Sequence, residues 1–313
     1  MIIRDRPSGL KLFLLARGSV LSRILPTLIV NIFIATLVTW SHGDLFQLKI
    51  TLTTIPFTLI GLPIAIFLGF RNNAAYDRFC EGRKLWGELV LRSRNFARQC
   101  QSLIDYPQAA SATNGLDDIR VRMIYRTSAF AYTLRDLLRD QTDAPQLSYL
   151  LQDSEREQLL TSSNKPQTLI MNMGADLHQL LQGKRIDPCL AVSMDNTLSA
   201  MTAAAASCER IRNTPIPFSY TLLLHRTAYI YCFLLPFGLV DSIGFMTPFV
   251  VAVVAYTFFG LDALGDEIEE PFGLEANDLP LDAICRAVEI DMRESVSDTD
   301  IPAPLLPNNF CLT

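Results

Sequence analysis

The stretch GLPIAIFLGFRNNAAYDRF, residues 61–79, changes character in its middle. The nine residues 62–70 carry no charge, and Arg71, Asn72 and Asn73 follow at once. Such a run faces lipid, a protein core, or a path through the protein, and which of these it does decides the fold. Upstream the uncharged run reaches back to Ile50, so twenty-one residues, ITLTTIPFTLIGLPIAIFLGF, separate Lys49 from Arg71. At about 1.5 Å per residue a helix of that length crosses the roughly 30 Å hydrocarbon core of a bilayer. Leu62, Ile66 and Phe70 recur at every fourth residue and share one stripe of that helix.

The neighbouring sequence repeats the theme. Twenty uncharged residues, ILPTLIVNIFIATLVTWSHG, lie between Arg23 and Asp44, and the link from there to Lys49 is short. The two runs therefore read as an antiparallel hairpin with Trp40 at a membrane interface. A second pair lies near the C-terminal end. TAYIYCFLLPFGLV (227–240) is preceded by PIPFSYTLLL and interrupted only by His225 and Arg226. SIGFMTPFVVAVVAYTFFGL (242–261) then runs twenty residues to Asp262, with a tight link around Asp241 to Gly244. The expectation is four membrane spans. The 313-residue chain is 50% hydrophobic and 19% charged, below the globular norm of about 25%.

Positive charge sets the orientation. Arg4, Arg6, Lys11, Arg17 and Arg23 precede the first span, Arg71, Arg78, Arg83 and Lys84 follow the second, and the short links carry only Lys49. Both termini and the middle are therefore expected on the cytoplasmic side of the membrane. Residues 1–22 mix Arg4, Asp5, Arg6 and Lys11 with a broken apolar segment, which fits an amphipathic surface helix better than a signal peptide. The net charge of −5 offers no basic footprint for nucleic acid. Cys80, Cys100, Cys189, Cys208, Cys232, Cys285 and Cys311 form no CxxC pair and read as reduced, mostly packed thiols.

The region between the span pairs reads as helical and soluble. VRMIYRTSAFAYTLRDLLRD has apolar positions at helical spacing. DSEREQLL offers Ser154 and Glu157 as a capping box, KPQTLIMNMGADLHQLLQG a helix closed by Gly183, and Asp187-Pro188 an N-cap with proline at the first helical position. One helix is expected from about Leu281 to Arg293, and the proline-rich last twenty residues lack a core-forming pattern. The organisation expected is an N-terminal segment (1–22), a span pair (23–71), a helical cytoplasmic domain (72–214), a second span pair (215–262) and a C-terminal segment with a flexible tail (263–313).

GLPIAIFLGFRNNAAYDRFCEGRKLWG resembles the second transmembrane segment of the bestrophin family of ion channels. RGSV before the first span, MDNTL in the middle, NTPIPFSYTLLLHRT before the third span and DEIEEPFGLEANDLPLDA after the fourth resemble the same family, in the same order, and its bacterial branch most closely. The resemblance implies an all-α membrane protein with four transmembrane helices per subunit and a helical cytoplasmic domain, assembled as a homopentamer around a central pore. It implies that Leu62, Ile66 and Phe70 form an apolar neck, that Arg71, Asn72 and Asn73 continue the pore-lining helix or end it at the membrane interface, and that Cys189, beside Asp187, forms a second, cytoplasmic aperture. Relatives carry a larger apolar residue at the Cys189 position. Three stacked apolar rings, each of five side chains, would resist wetting and so gate ions without charge. Gly61 and Gly69 would let helices approach closely.

Selectivity is open at the level of residues. Helix N-termini around the axis at Cys189 favour anions, whereas five Asp187 carboxylates favour cations. Family habit favours chloride; a sodium or potassium channel of the same fold is the alternative. The acidic run Asp262, Asp266, Glu267, Glu269 and Glu270 matches a segment that helps bind calcium in animal relatives, but it lacks the DxDxDG pattern, and a solvated contact between subunits, with Arg71, Arg78 or Arg83 as candidate partners, is the preferred reading. No metal assignment follows. His42, His178 and His225 stand far apart, and no GxSxG, P-loop or HExxH motif is present, which argues against an enzyme. The absence of an inverted repeat argues against a secondary transporter. No cofactor is expected; the partners expected are four further copies of the chain, membrane lipid and small inorganic ions.

Overall fold

The computed structural model describes residues 1–4, 18–41, 44–45, 48–49, 53–142 and 145–313. In chain order its elements are α1 (Leu21–Trp40), β1 (Asp44–Leu45), β2 (Leu48–Lys49), α2 (Thr54–Ser102), α3 (Ile119–Arg139), α4 (Leu147–Leu150), α5 (Asp153–Thr161), α6 (Lys165–Gln182), α7 (Pro188–Asn213), α8 (Phe218–Ile243), α9 (Thr247–Glu269) and α10 (Leu281–Ser295). The four strand residues pair antiparallel, Asp44 with Lys49 and Leu45 with Leu48, and close the first span pair as a hairpin. Among the described residues, three helical stretches are long and apolar enough to cross a membrane: α1, α2, and the 52 residues Phe218–Glu269. The last is broken at Gly244–Met246 into α8 and α9, of 26 and 23 residues. Gly244 has φ +49°, the left-handed region where a side chain is strained, and it turns the chain back on itself. α8 begins at Phe218, earlier than the uncharged run at Thr227, because His225 is carried inside the helix.

The chain divides into two compact units. One holds the described residues between 18 and 79 together with Pro215–Glu270, and therefore α1, the first half of α2, α8 and α9. Its core is three small clusters. Ile24 and Leu28 of α1 meet Cys232 of α8 and Ala255, Phe259 and Ala263 of α9. Ile64 and Leu68 of α2 meet Leu224 and Ala228 of α8. Ala35 meets Leu235 and Val251. Several of the buried contacts are alanines, as expected where helices in lipid associate by close packing rather than by escape from water. Leu25, Ile29, Val30 and Phe33 of α1 and Phe249 and Val253 of α9 remain exposed, as residues bathed in hydrocarbon do. The close approach expected at Gly61 is present, since a Cβ there would stand 2.8 Å from the Tyr231 hydroxyl; a Cβ at Gly69 would meet no described atom of its own protomer within 4 Å.

The other unit comprises Met1–Arg4, Cys80–Thr214 and Pro271–Thr313. Its centre is α3, of whose 21 residues all but Arg122, Leu137 and Arg139 are buried. The apolar spacing of α3 predicted one buried face, yet Arg120, Arg126, Arg135 and Asp136 are buried too. Each meets a partner. Arg126 reaches Glu155 of α5 and Asp176 of α6 at 2.5 Å, and Arg135 and Arg139 both reach Asp282 of α10 at 2.8 Å. Tyr132 donates to the fully buried Glu289 at 2.6 Å. A buried charge is tolerable only when paired and hydrogen-bonded, so this network fixes α5, α6 and α10 around α3. Burial alone would raise the Asp118 pKa, but hydrogen bonds from Arg120 and Asn114 hold the carboxyl below its ordinary value. Burial pushes the Cys208 thiol up to about 12 and raises Cys100 and Cys285 as well, which makes them packing residues rather than nucleophiles.

Two local expectations change, and a third lies largely outside the described residues. The capping box at the start of α5 uses Gln152 and Glu155, not Ser154 and Glu157: the helix begins at Asp153, and the Glu155 carboxylate accepts from the Gln152 N–H at 3.4 Å. The N-terminal surface helix falls largely on residues 5–17, outside the described ones, while Met1–Arg4 pair with the tail, Ile3 N–H donating to the Phe310 carbonyl and Leu312 N–H to that of Met1, both at 2.8 Å. That tail, for which the sequence suggested a flexible segment, is tied down further: Arg293 donates to the Asp300 carbonyl at 2.9 Å, Arg286 to that of Ala303 at 3.2 Å, and Ala283 N–H to that of Thr313 at 2.8 Å. Backbone pairing needs no apolar pattern, which is why the sequence does not announce it.

Candidate functional site

α2 places two rows of side chains on opposite sides within the first unit. Ile64, Leu68, Arg71 and Ala75 follow one another at helical spacing and are buried. Leu62, Ile66 and Phe70 are offset from them by about 200° at roughly 100° per residue. They are 66%, 47% and 60% exposed, so their own protomer leaves a large part of each uncovered. Phe67 leans on Phe70 edge-on at 6.3 Å and on Tyr220 at 6.5 Å, which bounds the row on one side.

What fixes the rotation of α2 is Arg71, the residue after Phe70. Its side chain is fully buried, and its guanidinium meets carboxylates from three successive turns of α9. It reaches Asp262 at 2.9 Å, Asp266, and Glu269 at 3.5 Å. Asp262 is itself buried and is shared with His225 of α8, whose Nδ1 lies 2.6 Å from its other oxygen. Asn72 donates to the Leu261 carbonyl at 3.0 Å, and a methyl group at Gly265 would collide with the Asn72 side-chain oxygen. Glu269 also accepts from the Ile216 N–H at 3.0 Å, and its carbonyl accepts from Arg78 at 3.1 Å. The planar five-donor guanidinium is suited to serving several carboxylates at once through a fixed fork, a geometry the compact three-donor ammonium of lysine lacks.

These contacts revise the reading of two groups. Arg71 neither joins the uncovered row nor reaches for a membrane surface, because the carboxylates of α9 hold it inside; Asn72 is half-buried beside it, and only Asn73 of the three is exposed. The acidic run is not a solvated patch. Asp262, Asp266 and Glu269 point inward to Arg71, and Glu270 alone is exposed. Among the described residues, no three His, Cys, Asp or Glu side chains converge as a metal site. The sequence reading missed His225. The signal was there: it interrupts an uncharged run, and an ionisable residue on a membrane helix calls for a partner.

In the other unit, α7 opens as expected. Asp187 is the N-cap, its carboxylate accepting from the Cys189 N–H at 2.8 Å, and Pro188 follows. Asp187 and Cys189 are exposed, as are Leu190 and Val192, whereas Ala191 and Met194 turn inward. The cap uses one carboxylate oxygen on the helix end, so a full negative charge sits on the partial positive charge of the first turn.

With this geometry in place, relatives can be weighed. A family model described as Bacterial/Fungal Bestrophin protein matches residues 1–294. The voltage-dependent anion channel-forming protein YneE of Escherichia coli K12 is 41% identical over 309 residues, 98% of each chain. A protein of the same description from Mesorhizobium japonicum, mll4386, is 43% identical over 311 residues, 98% of this chain and 95% of the other. The crystal structure of a bacterial bestrophin homologue from Klebsiella pneumoniae superposes with a TM-score of 0.81 at 36% identity, covering 88% of this chain and 99% of that one. The L177T variant of that homologue gives a TM-score of 0.80. With residues 1–294 matched by the family model and relatives above 40% identity aligned over 98% of the chain, this protein belongs to the bestrophin family, in its bacterial and fungal branch.

Proposed function

We propose that this chain forms a homopentameric channel that conducts small anions, chloride first, passively through an axial pore in the bacterial inner membrane, with both termini in the cytoplasm. The observation that carries the reading is the row Leu62, Ile66 and Phe70, left uncovered by its own protomer while the opposite row of α2 is locked by Arg71. Five such rows facing one another make a narrow apolar neck that water leaves readily and ions cross only when it is wetted. The anion sign is supported by the relatives, two of which are named as anion channel-forming proteins over 98% of this chain. Asp187 favours the second reading, a channel for monovalent cations, since five carboxylates at one constriction attract cations.

Purified protein in planar bilayers under a NaCl gradient decides the sign. The reversal potential is expected near the chloride equilibrium potential; a value near the sodium potential overturns the anion reading, and saturable flux that needs a coupled substrate overturns the channel.

A second measurement addresses the aperture. Asn caps a helix about as well as Asp, so Asp187→Asn removes a charge with little cost to α7. The anion-to-cation permeability ratio is expected to rise in this variant, and an anionic thiol reagent on the exposed Cys189 is expected to lower chloride current. Unchanged permeability in the first case, or full current after confirmed labelling in the second, would remove these residues from the ion path.

A further inference from the structure

Asn31 lies in the middle of α1 with no exposed surface, and neither end of its side-chain amide has a hydrogen-bonding partner among the described residues. A buried amide left unmet costs the desolvation of each group, so such groups in folded proteins are paired with protein or with ordered water. Asn31 is enclosed entirely by its own protomer, so no group from a second chain or from lipid reaches it.

The surroundings locate the partner. Three residues before Asn31, Leu28 packs with Cys232 of α8 and Ala255 of α9. Four residues after it, Ala35 packs with Leu235 of α8 and Val251 of α9. Asn31 therefore stands at the height of Cys232 and Leu235, inside the contact of α1, α8 and α9. The buried side chains of these clusters are apolar apart from the Cys232 thiol, with the partly buried Tyr229 and Tyr231 packed against them. The nearby hydroxyls of Thr36 and Thr39 donate to carbonyls of their own helix, at 2.8 and 2.7 Å. Four residues after Cys232 comes Pro236, buried within α8. Proline has no N–H, so the Cys232 carbonyl loses its helical donor. An acceptor released in α8 and an amide unmet in α1 thus fall at the same height in one apolar core. Prolines persist in membrane helices where neighbouring groups or ordered waters meet the carbonyl they release.

We propose that this core holds a buried water site, in which one water accepts an N–H from the Asn31 amide and donates to the Cys232 carbonyl. A water completes both helices without placing a charge in hydrocarbon, and a buried water needs two to four polar partners of this kind. The site makes α8 a helix with a hydrated bend between His225 and Gly244. The proposal does not rest on the channel reading, and either can fail alone.

A high-resolution density map of the full-length protein in lipid nanodiscs tests it. Density for a water is expected within hydrogen-bonding distance, about 3 Å, of both the Asn31 amide and the Cys232 carbonyl. It is expected to vanish in Asn31→Leu. A direct Asn31–carbonyl bond, an ion, or an amide with no density beside it overturns the proposal. Thermal melts of Asn31→Leu, Pro236→Ala and the double variant give a second reading. Alanine at 236 restores the helical donor to Cys232, so the two substitutions are expected to be non-additive; strictly additive shifts in Tm count against a shared water.

Discussion

An Arg71→Gln protein is expected to melt far below the wild type, or to fail to accumulate as folded protein. Arg71 is the buried cation against Asp262, Asp266 and Glu269, with its own side chain 0% exposed and that of Asp262 4%. Glutamine keeps some hydrogen bonding but leaves inward-facing carboxylates without their counter-charge. Removing one partner of a buried ion pair costs roughly 3–5 kcal/mol, because the other charge stays buried. Arg71→Lys keeps the charge and loses the fork, so it is expected to fall between the two. The contrast is Arg23, whose guanidinium is half exposed and 3.7 Å from Asp266. A pair of that kind contributes no more than about 1 kcal/mol, so Arg23→Gln is expected to melt close to the wild type. Thermal denaturation followed by size-exclusion chromatography in detergent measures all three. Equal melting of Arg71→Gln and Arg23→Gln would show that the cluster does not hold α2 to α9.

The second large effect is on current rather than stability. Replacing Leu62, Ile66 and Phe70 together by alanine is expected to leave the protomer folded, since these side chains are exposed in it. The neck they are proposed to form would widen and wet. Each ~1.4 kcal/mol taken from the barrier to wetting raises the current about tenfold, and three rings are widened at once. Macroscopic current per channel in planar bilayers reads the result. Wild-type current from a folded triple variant would sink the neck. Arg71 enters here indirectly: by holding the buried row of α2 on α9 it sets which way Phe70 turns.

The two predictions concern neighbouring residues that the sequence describes unequally. The uncharged run was legible, because its length and lack of charge are properties of the chain itself, although the resemblance to bestrophins, and not the spacing, singled out Leu62, Ile66 and Phe70 within it. The role of Arg71 was not. From the sequence it is the first charge after a span, equally suited to line a path, to reach the membrane surface, or to pair. Its partners lie about 190 residues away on α9, and no local pattern connects them. The same holds for His225, which meets Asp262 from 37 residues away, and for Arg126, which finds Glu155 and Asp176. α3 shows the limit from the other side. Its charged positions look like the solvated face of an amphipathic helix, yet they are buried because helices distant in sequence supply counter-charges.

The sequence by itself determined that the protein is helical with long uncharged runs fit to span a membrane, that these runs pair through short links, and where α7 starts. These follow from hydropathy, from helical periodicity and from caps, all of which act between residues a few positions apart. Only the tertiary structure decided which side of α2 faces inward, that three acids of α9 converge on one arginine, that the chain's two ends pair, and that Asn31 stands beside a proline-released carbonyl. Those depend on groups brought together across the fold, where a charge or an amide is stabilised by whatever meets it in space.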